Sequence, residues 1–281
     1  MVTLDFKTLT TPVGILRILE VIFTCVTFSV FASDGIWPFP YPVWCMFTWC
    51  FCFGVSIFIL VLDFLSLSSK LPISWNDLTA FFVMLATLMV LSASIINSIF
   101  LTCENCGKEI VVSVISFLAF ICYAVEVGLT LAKPGEKSYF LSTVPGLLKV
   151  LEIFVACIIL IHCPIIQYHP AGLWCIAVFS ICLIFSIFLM ISTIGRMLPR
   201  FPASVNKFLK ACHLLAVLMY STAAIILPII FFWNYPRPYP CERYCLWDLL
   251  LFICLMTCFN LIAYIVDAVY SFKSISLPTQ T

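Results

Sequence analysis

At 281 residues, 64% hydrophobic and only 10% charged, the chain has too little polar surface to enclose a water-soluble core; soluble domains are nearer about 25% charged. A formal net charge of +1 gives no basic field for nucleic acid. With no low-complexity tract or long charge run to form a disordered tail, the solvent this sequence suits is a bilayer.

A spanning helix needs roughly 20 mostly apolar residues, and an open sheet in lipid would leave backbone groups unpaired. Eight stretches qualify as helices: 15–32, 43–65, 78–101, 110–132, 147–166, 171–194, 208–232 and 246–272. The first opens with "GILRILEVIF", where Pro12 signals a helix start. Its Arg17 and Glu20 stand at i and i+3, neighbours on one face. Arg17 is expected to stretch toward the headgroups with Glu20 beside it at the positive end of the helix dipole. A polar lock to a neighbouring helix, or an ion site, is the sharper reading of the same pair. An upstream cation and "VFAS" also fit a cleaved leader. The opening phrase recurs in mid-chain, however, so the segment is expected to be retained.

The second span ends near Asp63, and the fourth carries Glu126 deep toward its end. Between the third and fourth lies "CENC", Cys103 to Cys106. The fifth span, "GLLKVLEIFV", repeats the first with Lys149 and Glu152. His162 and His169 flank the turn into the sixth, and His213 starts the seventh, which contains Pro228. These histidines form no ligand cluster and are expected at the interface. "CERYC", Cys241 to Cys245, precedes the eighth span, where Asp267 mirrors Glu126.

Lysine and arginine set the orientation. Eleven of them, from Lys7 and Arg17 to Lys207, Lys210 and Lys273, fall on the side of the two termini, against Lys108, Arg237 and Arg243 on the other. Both termini are therefore expected in the cytosol. The outer loops hold "WPFPYPVW" and "NYPRPYPCERYCLW". Tryptophan and tyrosine suit headgroup depth, and proline suits stiff turns.

The chain reads as a duplication. Displaced by 132, Gly14 falls on Gly146, Arg17 on Lys149, Glu20 on Glu152 and Cys25 on Cys157. Displaced by 130, Pro40 falls on Pro170, Trp44 on Trp174, Cys45 on Cys175, "SIF" on "SIF" and Met89 on Met219. "YAVEV" then meets "YIVDA", pairing Glu126 with Asp267. Chance similarity between apolar segments would align leucines, not ordered Trp-Cys, Pro and Glu positions. Four crossings per unit return the chain to its starting side, so the units point the same way, related by an axis along the membrane normal.

Acidic residues in lipid usually face the bundle interior and find partners. The expected partners are Arg17 for Glu126 and Lys149 for Asp267, tying first to last helix in each unit; interfacial exposure and a proton-coupled carrier are the other readings. Close cysteines outside the cell tend to oxidise, which suggests loop disulfides Cys103–Cys106 and Cys241–Cys245. Unpaired thiols, a redox motif or a metal site are the alternatives. Cys212, near the cytosolic side, is a candidate for acylation. There is no N-x-[ST] acceptor, phosphate-binding glycine loop, H-E-x-x-H or G-x-S-x-G. No catalytic residue, cofactor or metal is expected.

Four-helix units with cytosolic ends, short aromatic outer loops and close cysteine pairs in the second outer loop resemble MARVEL domains. Two in tandem, opened by "PVGILRILE" and "VPGLLKVLE", look like the myeloid-associated differentiation marker family of the MAL group. The resemblance spans residues 10 to 275. It departs at Asp63, which has no acidic counterpart at Thr193. It implies a non-enzymatic protein associated with cholesterol-rich membrane domains, vesicle traffic and cell junctions, with no catalytic residue to carry over.

The expected fold is an all-α integral membrane protein with eight transmembrane helices. They form two tandem four-helix MARVEL-like bundles in parallel orientation, residues 9–135 and 142–277. The expected function is organisation of membrane domains or partner membrane proteins, at the plasma membrane or on trafficking vesicles. Partners are the bilayer, with cholesterol-rich domains, other membrane proteins and a homo-oligomer considered. A transporter or channel using Glu126, Asp267 and Asp63 is the alternative; a thiol oxidoreductase using "CENC" is a third reading.

Overall fold

The structure is a computed structural model describing residues 9–33, 35, 39–67, 74–101, 107–132, 143–195, 203–234, 237 and 245–273. Those residues form eight long helices and no strand: α1 (Pro12–Ala32), α2 (Pro40–Phe64), α3 (Trp75–Ile96), α4 (Gly107–Ala132), α5 (Val144–His162), α6 (Pro170–Ile194), α7 (Ala203–Asn234) and α8 (Leu246–Lys273). All eight are long and apolar enough to cross a membrane.

Local chemistry sets several helix ends. α1, α2, α5 and α6 each carry proline in the first two positions, where its missing N–H costs nothing. The Thr11 hydroxyl accepts the Gly14 N–H at 3.0 Å, capping α1. The His169 ring accepts the Ala171 N–H at 3.2 Å at the start of α6. α3 runs on as a π-helical turn, Asn97–Leu101. Buried Asn97 anchors that turn to α4, donating to Ser113 Oγ at 2.8 Å and to the Glu109 carbonyl at 3.2 Å. α7 continues unbroken through Pro228, so that proline does not open a span as a carrier site would require.

Contacts divide the chain into two units, Met1–Ser142 and Thr143–Thr281. In the first, α1 and α3 each pack against α2 and α4; in the second, α5 and α7 each pack against α6 and α8. Each unit is thus a ring of four neighbouring helices. Trp44, Trp49, Met89 and Tyr123 fill the first interior, and Ile159, Phe179, Tyr220, Leu227 and Tyr264 the second.

The faces of α1 are inverted relative to a helix of a water-soluble bundle. The buried residues of α1 are Gly14, Glu20, Thr24 and Thr27, whereas Ile15, Ile22 and Val26 point outward. Thr24 and Thr27 satisfy their hydroxyls on the Glu20 and Phe23 carbonyls of their own helix, at 2.6 and 2.7 Å. On α4, Val114, Leu118, Ile121 and Val125 form an exposed stripe at helical spacing. In lipid such stripes are solvated. Helix association there gains little from apolar burial and depends on close packing and interhelical polar contacts.

One close approach requires glycine. A Cβ on Gly172 would stand 1.8 Å from the Ile166 carbonyl oxygen, which folds back over the first turn of α6. Gly172→Ala is therefore expected to cost about 1–3 kcal/mol, the usual range for overpacking. Lowered thermal stability of the purified full chain is the measurement that checks it.

Candidate functional site

Each unit buries one cluster of charged side chains. In the first, Arg17 on α1 pairs through Nη1 with Asp63 at the end of α2, and its Nε lies 2.8 Å from Glu126 Oε1 on α4. The guanidinium fork thereby joins three helices. Arg17 is 11% exposed at its side chain and Glu126 is fully buried, so Arg17 turns into the bundle instead of reaching for headgroups. Glu20, 1% exposed, sets its carboxyl against that of Glu126.

In the second unit, Lys149 Nζ on α5 lies 2.6 Å from Glu152 Oε2 on the same helix and 2.8 Å from Asp267 Oδ2 on α8. His213 of α7 brings Nε2 to 2.7 Å from the same Asp267 oxygen and 3.4 Å from Lys149 Nζ. It is 4% exposed, not interfacial. Ser186 donates to Glu152 at 2.9 Å and meets the Tyr264 hydroxyl at 2.8 Å. The Lys149 ammonium also sits 5.3 Å from the centre of the Tyr264 ring.

Several contacts recur in the two units. Ser56 bonds Tyr123 at 2.7 Å in the first unit, as Ser186 bonds Tyr264 in the second. Trp44 donates to Ser92 at 3.0 Å, and Trp174 to Thr222 at 3.1 Å. Ser56, Trp44 and Ser92 meet their counterparts at the displacement of 130, and Tyr123 meets Tyr264 through the match of "YAVEV" with "YIVDA". Besides Arg17 against Lys149 and Glu126 against Asp267, two exchanges distinguish the clusters. Asp63 is replaced by Thr193, whose hydroxyl returns to the Leu189 carbonyl of its own helix at 2.8 Å. Val83 is replaced by His213. The first cluster therefore recruits α2 and the second recruits α7.

Sequence reasoning singled out Arg17, Glu20, Glu126, Lys149, Glu152 and Asp267. The structure brings the first three together in one unit and the last three in the other. Sequence reasoning did not place Asp63 as the second acid on Arg17, and it put His213 at the interface and outside any cluster. Asp63 carried a usable signal, lying near the end of its span as Glu126 does. His213 carried a fainter one: an imidazole in a register where the other repeat has valine.

Glu152, His213 and Asp267 are also the one group among the described residues with metal-ligand chemistry, their ligand atoms all within 4.8 Å of one another. The Lys149 ammonium already stands among them, at 2.6, 2.8 and 3.4 Å. It is the cation these groups surround, and a divalent ion would have to displace it. Twelve described cysteines are free, most of them buried. Cys103, Cys106 and Cys241 lie outside the described residues; Cys245 lies inside them and is disulfide-bonded.

The MARVEL membrane-associating domain matches residues 8–129. The myeloid-associated differentiation marker homolog of Xenopus laevis is 43% identical, over 96% of this chain and 94% of that protein. The chain belongs to the myeloid-associated differentiation marker family. The Homo sapiens myeloid-associated differentiation marker is 39% identical, over 94% of this chain and 88% of that protein. The Rattus norvegicus myeloid-associated differentiation marker-like protein 2 is 35% identical, over 98% and 96%. No solved structure matches. With eight apolar helices and a MARVEL domain, this member of the family is a multi-pass membrane protein. None of these relatives' names denotes an enzyme.

Proposed function

We propose that the chain is a non-enzymatic membrane scaffold: two tandem four-helix bundles in parallel orientation, with both termini cytosolic, that organise membrane domains or partner membrane proteins. The observation that carries this reading is the division of chemistry in each unit. A set of buried charges pairs inside each unit, and the outward faces of the spans are apolar. Such a protein interacts through its lipid-facing surface and its loops. The clusters act as structural locks, and Cys103–Cys106 and Cys241–Cys245 as bridges stiffening the outer loops. Cholesterol-rich regions of the plasma membrane or of trafficking vesicles are the proposed setting, with other membrane proteins or further copies of the chain as partners.

Transport is the competing reading, and the buried carboxylates Glu126 and Asp267 are what favours it. Proximity labelling from the tagged full chain in cells, paired with proton and ion flux in proteoliposomes, separates the two. The scaffold predicts neighbours enriched in proteins of cholesterol-rich and junctional membrane, and no flux above empty vesicles. Flux that disappears with Glu126→Gln or Asp267→Asn would overturn it.

A further inference from the structure

We propose that the second unit binds anionic phospholipid at the end that holds its charge cluster, with Lys207, Lys210 and Lys273 meeting the phosphate-bearing headgroups. The other repeat supplies the comparison. At the displacement of 130, Asp77 of α3 falls on Lys207 of α7, and Ala80 falls on Lys210. A negative position has become positive, and a buried alanine has become a half-buried lysine. The rest of that end follows the same trend. In the first unit, the helix ends and connections beside the cluster carry Lys7, Lys70, Lys133 and Lys137 together with Asp5, Asp77 and Glu136. In the second they carry Arg196, Arg200, Lys207, Lys210 and Lys273. The acids of that side, Glu152 and Asp267, are buried against Lys149. One end is nearly neutral and the other is uniformly basic, which gives it a field that gathers anions.

Helix register sets the lysines at one height. α7 and α8 run antiparallel: Phe232 meets Trp247 near the far end, Tyr220 meets Asn260 in the middle, and His213 meets Asp267 near this one. Lys207 precedes His213 by six residues, and Lys273 follows Asp267 by six. At 1.5 Å per residue, each therefore stands about 9 Å beyond that contact. Lys210 lies between.

The patch also faces outward. Lys207 is exposed and shares a helix stripe with Leu214, Leu218 and Ile225, all exposed. Phe208 beside it is exposed as well. In a spanning helix, lipid chains cover that stripe. The ammonium at its end then stands at the headgroups of those same lipids, its stem lying along apolar surface. This continuity of apolar stripe and cation selects lipid over an acidic protein segment as the occupant. With the termini cytosolic, as proposed above, the patch meets the inner leaflet, where anionic lipid is concentrated. Binding itself does not depend on that orientation.

The test uses the full chain in vesicles of symmetric phosphatidylcholine composition, with a trace of spin-labelled phosphatidylserine or spin-labelled phosphatidylcholine. Electron paramagnetic resonance reads the fraction of each label held at the protein. The proposal expects phosphatidylserine to be favoured at least about threefold at low salt, since surface cations attract anionic lipid with energies of this order. The preference should approach unity in about 1 M salt. It should fall by at least half when Lys207, Lys210 and Lys273 are all changed to glutamine. Cys175 and Cys182, buried in this unit, should stay protected from thiol reagents in that variant. Should they lose protection, Lys207→Asp alone, the residue of the other repeat at an exposed position, replaces it and should lower the preference in the same direction.

Equal association of the two labels with the parent chain would overturn the proposal and point to an acidic protein segment instead. A preference unchanged by removing the lysines would overturn it too. Either failure leaves the scaffold reading standing, because that reading fails on flux in proteoliposomes and not on lipid preference.

Discussion

Arg17→Met is expected to destabilise the first unit by about 3–5 kcal/mol, the range found when one partner of a buried ion pair is removed. The substitution keeps much of the side-chain volume but strands Asp63, Glu126 and Glu20 with no cation. Glu126 is fully buried and cannot move its charge to water. In lipid, the remaining helix contacts are weak substitutes, since individual interhelical hydrogen bonds are worth about 0.6 kcal/mol on average. The loss should therefore spread: α1 loosens from α2 and α4 together. Thiol reactivity during heating reads this directly, because Cys45 and Cys52 are fully buried in the first unit and Cys175 and Cys182 essentially so in the second. Arg17→Met should release the first pair at lower temperature and leave the second pair unchanged. Adding Asp63→Asn and Glu126→Gln should restore part of the loss, since neutral amides need no cation. Arg17→Lys should restore less than a conservative change normally would. The native guanidinium reaches Asp63 from Nη1 and Glu126 from Nε, and one ammonium does not reproduce that fork.

Lys149→Met is the matching change in the second unit, also expected at about 3–5 kcal/mol, now read from Cys175 and Cys182. It leaves Glu152 and Asp267 facing each other across the methionine. Cys45 and Cys52 should stay protected to the parent temperature in this variant. Release of both cysteine pairs together would contradict charge locks confined to one unit each.

The helices were legible because lipid imposes long apolar runs, and the eight stretches read from composition lie within or beside α1 to α8. The duplication was legible because its markers, Trp44 with Trp174 and Glu126 with Asp267, are rare in apolar sequence. The depth of the charges was not. Position along a helix gives height in the membrane, but which way Arg17 turns depends on what α2 and α4 offer it. Asp63 offers a second carboxylate, and that contact joins residues 46 positions apart. His213 was harder still: it lies 64 positions from Lys149, and nothing in its local sequence distinguishes an interfacial imidazole from a buried one. What places it is the α7–α8 packing that brings Asp267 alongside. Cys103, Cys106 and Cys241, the outer-loop cysteines outside the described residues, stay with the proposed bridges.

The most direct test of two copied units entering from one face is the accessibility of the two ends of the chain. Distinct epitope tags at the N- and C-termini of the full chain are probed by antibody on intact and on permeabilised cells. Both tags silent on intact cells and both detected after permeabilisation is the predicted result. Either tag labelled on intact cells while the other is hidden would mean an odd number of crossings, and would contradict two four-helix units facing the same way.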